Sequence, residues 1–462
     1  MLFIWVFLPI VLAGHCLLWK TGGNRAANVL LLLASLIFYA WGEPVYILLM
    51  LISISVNWAA GRILEITQYK KTVLTLDVMV NLGLLLYFKY AGMAVRTFNI
   101  IARADVPVPE IALPIGISFF TFQALSYVID VYRGEVEVQR SWFTIALYVS
   151  FFPQLIAGPI VKYKDVNRQI SDRKIDLEQT ALGMRRFTYG LAKKVLIANV
   201  MGHCADRIYA LPISDVTSPM VWIASAAYTL QIYYDFSGYS DMAIGLGKMF
   251  GFQFRENFRY PYTSCSIREF WRRWHISLSS WFRDYVYIPL GGNRRGEFRT
   301  YINLFIVFLL TGIWHGASWT FVFWGLYHGF FSIIERLGVE KILRRVPVFS
   351  WLYTILVVNF GWVFFRVDHP GSSIRYILRM VQPWKYTVSS YSILELVSPK
   401  MILFALLGIL GAGGIQRHAD GSRIGKRWKF SWLEIIYCCI IFILSLLSLA
   451  GSTYNPFIYF RF

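Results

Sequence analysis

Between Thr300 and Ile334 the chain has no Asp, Glu, Lys or Arg. Charge is scarce elsewhere too, at 15% of 462 residues, and acids are the scarcer sign, 26 against 45 Lys and Arg. Cysteine is scarcer still. Cys16, Cys204, Cys265, Cys438 and Cys439 show no paired or CxxC spacing, which leaves no disulfide scaffold, redox motif or thiolate zinc site to argue for. Adjacent Cys438 and Cys439 read as packing residues of an apolar helix. A basic n-region and an A-x-A cleavage site are both missing near the N-terminus, so the first apolar stretch is expected to stay as a membrane anchor. No internal repeat, low-complexity tract or soluble domain is visible, and residues 1–462 read as a single domain.

What the sequence has instead is apolar surface: 57% hydrophobic residues, 18% of all residues being aromatic. A soluble chain could not hide that much, so the expected class is all-α and polytopic. About ten or more transmembrane helices are expected, with re-entrant and amphipathic helices around a central tunnel. The net charge of +19 lies between apolar runs and not on a soluble domain. That argues against nucleic acid and for membrane lipid headgroups and a polyanionic donor as partners.

Taken in order, spans are expected at 2–19, 27–41, 45–60, 73–88, 111–132, 142–161, 219–236, 351–365, 401–415 and 432–449. Pro114, Gly116 and Gln123 give the fifth an irregular start. FFPQ and AGPI interrupt the sixth, which is tolerated at membrane depth only inside protein or beside a cavity. Residues 91–110 read as interfacial, and 368–399 as a polar connection. The basic stretch 162–194, with Arg185, Arg186, Lys193 and Lys194, is expected in the cytoplasm. So is the loop holding Arg417, Arg423, Lys426, Arg427 and Lys429, which puts the C-terminal tail, 450–462, outside. Lys20 and Arg25 put the N-terminus outside as well.

The uncharged run carries the chemistry. Thirty-five helical residues would measure about 50 Å, against ~30 Å of hydrocarbon. The run must kink or break, and Gly312 to Gly316 is the expected place. His315 then sits at a break deep in the membrane, where an ionisable group is a functional hypothesis by default. The plainer reading is a neutral imidazole donating to a freed carbonyl. His275 lies forty residues earlier on a basic, aromatic segment. Neither histidine has a carboxylate or Cys at metal-ligand spacing, which leaves acid–base work. His328 reads as a satisfied core histidine. His15, His203, His369 and His418 sit at expected segment ends or in loops. Asp130 is expected to pair with Arg133. Asp235 and Asp241 form either an acid–base dyad or anchors for Arg272 and Arg273, and anchoring is favoured.

FWRRWHISLSSWFRDYVYIPLGGNRRG, followed by LLTGIWHGASWTFVFWGLYHG, resembles the signature of the membrane-bound O-acyltransferase family. LPIGISFFTFQALSYVIDVYRG, FFPQLIAGPIVKY, QIYYDFSGYSDMAIGLGKMFGF and VVNFGWVFFR resemble its bacterial alginate O-acetyltransferase branch. The core of the resemblance spans 111–367. One departure is FRENFRYPY, where the branch more often has Pro in place of Arg255.

The resemblance implies a multi-pass enzyme of the bacterial cytoplasmic membrane, with His315 as essential histidine and His275 as the second. It implies acetyl-CoA as donor substrate, no bound cofactor or metal, and an extracytoplasmic polysaccharide as destination. An SGNH-like or alginate-acetylation-type transferase is the implied partner. Arg294, Arg295, Arg272 and Arg273 are the candidates for the donor phosphates. The rival within the family is D-alanyl transfer from a carrier protein to teichoic acid. A channel or lipid transporter gated by His315 is the rival from another class. The tail NPFIYFRF is either an interfacial aromatic anchor or, by resemblance to the F-x-Y-x-x-F tail of small partners in D-alanyl systems, an acyl relay at Tyr459.

Overall fold

The computed structural model describes residues 1–343, 345–414 and 431–451. The described elements are helices. In order they are α1 (Leu8–Gly42), α2 (Tyr46–Ile66), α3 (Lys70–Ala102), α4 (Ile117–Tyr132), α5 (Trp142–Ser150), α6 (Phe152–Leu155), α7 (Tyr163–Ser171) and α8 (Leu177–Ala192). Then come α9 (Asn199–Tyr209), α10 (Ser218–Met249), α11 (Ile267–Arg273), α12 (Ile276–Phe282), α13 (Glu297–His315), α14 (Trp319–Ile334), α15 (Glu340–Leu343) and α16 (Pro347–Arg366). α17 (Pro370–Val381), α18 (Ile393–Leu396), α19 (Pro399–Gly411) and α20 (Trp432–Ala450) complete the set. Among the described residues six helices are long and apolar enough to cross a membrane: Phe3–Gly42, Tyr46–Ile66, Lys70–Ala102, Glu297–His315, Pro347–Arg366 and Trp432–Ala450. α4 and α19 are apolar but shorter. The chain is a membrane protein. It divides into two compact units, Met1–Phe187 with Met242–Arg255, and Thr188–Asp241 with Glu256–Phe462.

In the first unit α1 folds back on itself. Gly23 takes φ 68° and ψ −164°, a conformation open to glycine and closed to residues with a Cβ. The rings of Phe3 and Phe7 then lie 5.8 and 5.7 Å from that of Phe38. The two first expected spans are thus arms of one hairpin. α3 runs on to Ala102 through the stretch expected to be interfacial, because nothing between 91 and 102 stops a helix. The prolines come later, at Pro107 and Pro109. The break at FFPQ is present between α5 and α6. Arg255, the departure in FRENFRYPY, pairs with Asp165 at 2.5 Å.

Of two expectations in this unit, the charge at Asp130 has a further neighbour and the placing of His15 fails. Asp130 is fully buried and faces Lys164 Nζ at 3.9 Å, while Arg133 lies past the end of α4 and turns to Glu135 at 3.6 Å. His15 is not at a segment end. It is buried within α1, and its Nε2 is 3.1 Å from Arg173 Nη2, whose Nη1 also donates to Asn28 Oδ1 at 2.6 Å.

The second unit is held by a hydrophobic core, rich in aromatics, that includes Tyr233, Phe270, Trp274, Trp324, Val358 and Trp362. α10 begins at Ser218 and does not stop after Phe236, since DFSGYSDMAIGLGK has no proline and stays helical. Gly238 lies against the backbone, where a Cβ would fall 2.7 Å from Gly190 O. The chain after α8 winds into a π-turn, Lys193–Ala198, that brings two successive lysines onto α10. Lys194 meets Asp235 at 2.5 Å and Lys193 meets Asp241 at 2.6 Å. Both acids therefore anchor cations, but the cations are lysines and not Arg272 and Arg273. The connection 368–399 is more structured than a polar linker, since α17 buries Ser373, Tyr376, Arg379 and Met380.

Candidate active site

α13 stops at His315 because the next residue leaves the helical conformation. Gly316 is fully extended, φ −169° and ψ 158°, and α14 restarts behind Ser318, whose side chain accepts from Thr320 N at 3.3 Å. The ring of Phe321 occupies the space where a Cβ on residue 316 would go, so only glycine fits there. Nearby, α13 and α14 touch backbone to backbone. A Cβ on Gly312 would fall onto Phe321 O, and one on Gly325 onto Phe308 O. The uncharged run is thereby folded into a tight antiparallel pair with His315 at its closed end. The break falls in the neighbourhood expected from the sequence.

His315 is 6% exposed. Rings stand around it: Trp314 at 5.1 Å, Trp324 at 5.0 Å and Phe365 at 5.1 Å, all edge to face. Phe321 backs Phe365 at 4.9 Å. A group held here works in a low dielectric, where each hydrogen bond and partial charge counts for more than in water.

His275 is built differently. It is the N-cap of α12 and takes φ 45° and ψ 54°, the left-handed region, which costs a residue with a Cβ roughly 1–2 kcal/mol. Asn257 holds it there. Asn257 O accepts from Ile276 N at 2.9 Å, and Asn257 Oδ1 accepts from Ser277 N at 3.1 Å and Ser277 Oγ at 2.9 Å. Asn257 Nδ2 donates to Ser240 Oγ at 3.0 Å, which orients the amide and turns Oδ1 toward the imidazole. His275 Nδ1 lies 3.2 Å from that oxygen. An amide oxygen cannot donate, so the proton sits on Nδ1 and Nε2 carries the lone pair. Phe236 packs on the ring at 4.6 Å, and His275 is 1% exposed. Burial pushes this imidazole down to about 3, so it is neutral at physiological pH.

Trp314 links the two histidines, its ring 5.1 Å from that of His315 and 6.1 Å from that of His275. The other sequence candidates lie apart. Arg294 and Arg295 are exposed, just after a turn in which Gly291 and Gly292 take φ 106° and 55°. They precede α13, and His315 ends it, about 27 Å along the axis at 1.5 Å per residue. Arg273 pairs with Glu269 at 2.7 Å, and Arg272 is exposed at the end of α11. Tyr459, His418 and the basic loop around Arg417 lie outside the described residues. His328 is buried as expected, but its place is set by rings and not by hydrogen bonds. Trp271, Trp324 and Tyr327 lie 5.1 to 5.3 Å away, and a Cβ on Gly361 would fall 2.5 Å from its Nε2. Sequence reading missed Asn257 and Phe365. No spacing rule links Asn257 to a histidine eighteen residues on. Its only signal is its place in the quoted FRENFRYPY run.

Such a site can move a proton at one imidazole, hold a neutral one beside it and keep water out. Residues 47–367 match the membrane-bound O-acyltransferase family. The chain is 41% identical to the "Probable alginate O-acetylase" of Pseudomonas putida, covering 100% of this chain and 99% of that one. It is 34% identical to the peptidoglycan O-acetyltransferase of Helicobacter pylori, over 100% and 96%. The teichoic acid D-alanyltransferase of Bacillus subtilis is 28% identical over 54% of this chain and 67% of that one.

The depressed His275 pKa has a consequence for stability. Unfolded, the imidazole takes a proton below about 6.5, and folded it does not until about 3. The unfolded state therefore binds more protons in that window, and stability is lost as pH falls through it. The thermal unfolding midpoint of the detergent-solubilised protein is expected to fall from pH 6.5 to pH 4, and to fall less in His275→Gln. Equal slopes in the two proteins would refute the neutral, buried imidazole.

Proposed function

The chain belongs to the membrane-bound O-acyltransferase family and is an O-acyltransferase, and from that premise we propose that it moves an acetyl group from cytoplasmic acetyl-CoA toward an extracytoplasmic polysaccharide. The membrane is then the bacterial cytoplasmic membrane, with the C-terminus outside, ten or more passes and a central tunnel. The observation that carries this reading is the placement of His315 at one end of α13 and of Arg294 and Arg295 before the other. α13, which lies between them in the chain, is about 27 Å long and approaches the ~30 Å of a hydrocarbon core. A donor gripped by its phosphates at the arginines must carry its thioester on a long arm to reach His315, and the coenzyme has that shape.

The reaction balances at one imidazole. His315 takes the proton of the incoming hydroxyl, whose oxygen bonds to the thioester carbon. The C–S bond breaks, and the departing thiolate recovers that proton from the imidazolium. His275 has its proton turned toward Asn257, so it offers a lone pair and suits holding the hydroxyl. The oxyanion then falls to N–H donors such as the neighbouring indoles. The acceptor is reached through an SGNH-like or alginate-acetylation-type partner outside the membrane. Membrane lipid is the other partner, and no metal or further cofactor enters.

His315→Ala is expected to abolish transfer from radiolabelled acetyl-CoA in native-membrane vesicles while still inserting. Label appearing from a D-alanyl carrier instead would support teichoic acid as the target. Wild-type transfer by the variant would remove His315 from the chemistry.

Donor phosphates at Arg294 and Arg295 are bound by charge-assisted, bidentate hydrogen bonds. The double Arg→Ala variant is expected to raise the KM for acetyl-CoA about tenfold or more with kcat little changed. An unchanged KM would leave these residues as ordinary cytoplasmic anchors.

Tyr459 lies outside the described residues, and its proposed role rests on the F-x-Y-x-x-F tail. With His315 as base, the tyrosine oxygen takes the acetyl group and passes it to the partner. Mass spectrometry of the C-terminal peptide is expected to show one added acetyl after donor incubation. Intact acceptor acetylation in Tyr459→Phe would make the tail an anchor.

A further inference from the structure

Glu335 lies just past α14 and is 1% exposed, an expensive place for a carboxylate unless it is hydrogen-bonded. Its carboxylate accepts two backbone N–H groups of another segment: Ile267 N at 2.6 Å and Arg268 N at 3.1 Å. These are the first two residues of α11, whose orphan amides would otherwise go unsatisfied in a buried setting. The rest of that terminus is also supplied. Ser266 Oγ accepts from Glu269 N at 3.0 Å, Glu269 Oε2 accepts from Cys265 N at 2.9 Å, and Arg268 pairs with Glu340 at 2.5 Å. A helix of seven residues is too short to hold itself. Its position is set by this socket.

From the socket α11 runs along α14 toward the histidines. Trp271, four residues on, packs on Trp324 at 5.5 Å and on His328 at 5.1 Å. Two residues after α11 ends comes His275, held from its other side by Asn257. α14 is fixed to α13 at Gly312 and Gly325, and α13 ends at His315. One continuous mechanical path therefore joins His315 to His275: from α13 to α14, through Glu335 into α11.

We propose that Glu335 is a positioning residue that sets the register of His275 against His315 by capping α11. The inference rests on the reading of these two histidines as the acyl-transfer site. Glu335 touches no reacting atom and acts only through the placement of α11. Gln at this position keeps the length but replaces one acceptor with an NH2 group facing an N–H. Asp keeps the charge but draws α11 in by about one bond length, and misplacement of about 1 Å can cost as much as a hundredfold in rate.

The test uses the full-length protein in native-membrane vesicles with radiolabelled acetyl-CoA. Glu335→Gln is expected to lower kcat about tenfold with the acetyl-CoA KM within twofold, and Glu335→Asp to do the same or more. A double-mutant cycle with His275→Gln separates positioning from plain stability. If Glu335 works through His275, the second substitution adds little once the first is made. Multiplying effects, or an unchanged kcat in Glu335→Gln, would overturn the proposal. Activity retained by His315→Ala would instead overturn the site reading, with Glu335 still free to be judged from the cycle.

Discussion

An apolar run of thirty-five residues cannot remain one straight helix in a bilayer, and the candidate site is a consequence of where this one breaks. Lipid offers no partner for a bare N–H or C=O, so a break is tolerated only when protein surrounds it. Gly316 extends under the ring of Phe321, and Gly312 and Gly325 let two backbones touch. The aromatic side chains that close over the turn also close over His315. Packing and chemistry thus share one cause. The close approach that makes the turn possible excludes water from the imidazole at its end.

The second histidine shows the complementary strategy. His275 sits in a backbone conformation that L-residues avoid, on a segment too polar to be held by apolar burial alone. Its place is secured by hydrogen bonds to one asparagine, which supplies both its backbone carbonyl and its side-chain oxygen. A net contribution of about 1 kcal/mol for each such bond is enough to offset a left-handed residue. Asn257 also sets the tautomer. By taking the Nδ1 proton it leaves His275 unable to donate from Nε2, so the two histidines are not interchangeable. One is ringed by aromatic edges, and the other is tied down with a defined tautomer.

Much of this is legible in the amino-acid order alone. A run too long for the membrane, a glycine pair inside it and an imidazole near its centre locate the break and His315 by length. The helical class follows from composition. What sequence patterns report is periodicity along one helix, and they are blind to which helix lies across from it. Nearness in sequence suggests Arg133 for Asp130 and gives no sign of Lys164, which arrives from α7. The same logic matches Asp235 and Asp241 with arginines. A π-turn that no composition signals brings Lys193 and Lys194 instead. Gly23 escapes notice because a hairpin with no loop looks like two ordinary spans. Asn257 escapes for a similar reason, since its meaning lies in a contact between distant turns.

In the proposed reaction, the rings around His315 also constrain how the proton moves. Acyl transfer from a thioester to a hydroxyl consumes no proton overall: the one lost by the hydroxyl is the one the thiolate needs. A site with a single working base can therefore close its cycle without exchanging protons with either side of the membrane. That matters where the surrounding wall is Trp314, Trp324 and Phe365, none of which can relay a proton through water. If the thiolate and the hydroxyl were served by separate groups, each turnover would leave a charge stranded in a low dielectric, at a cost of several kcal/mol. Serving both from His315, as proposed, avoids it. In the proposed cycle the imidazolium exists only between the two transfers, when the negative charge it neutralises lies beside it, which is how an enclosure costly to an ion would remain compatible with catalysis.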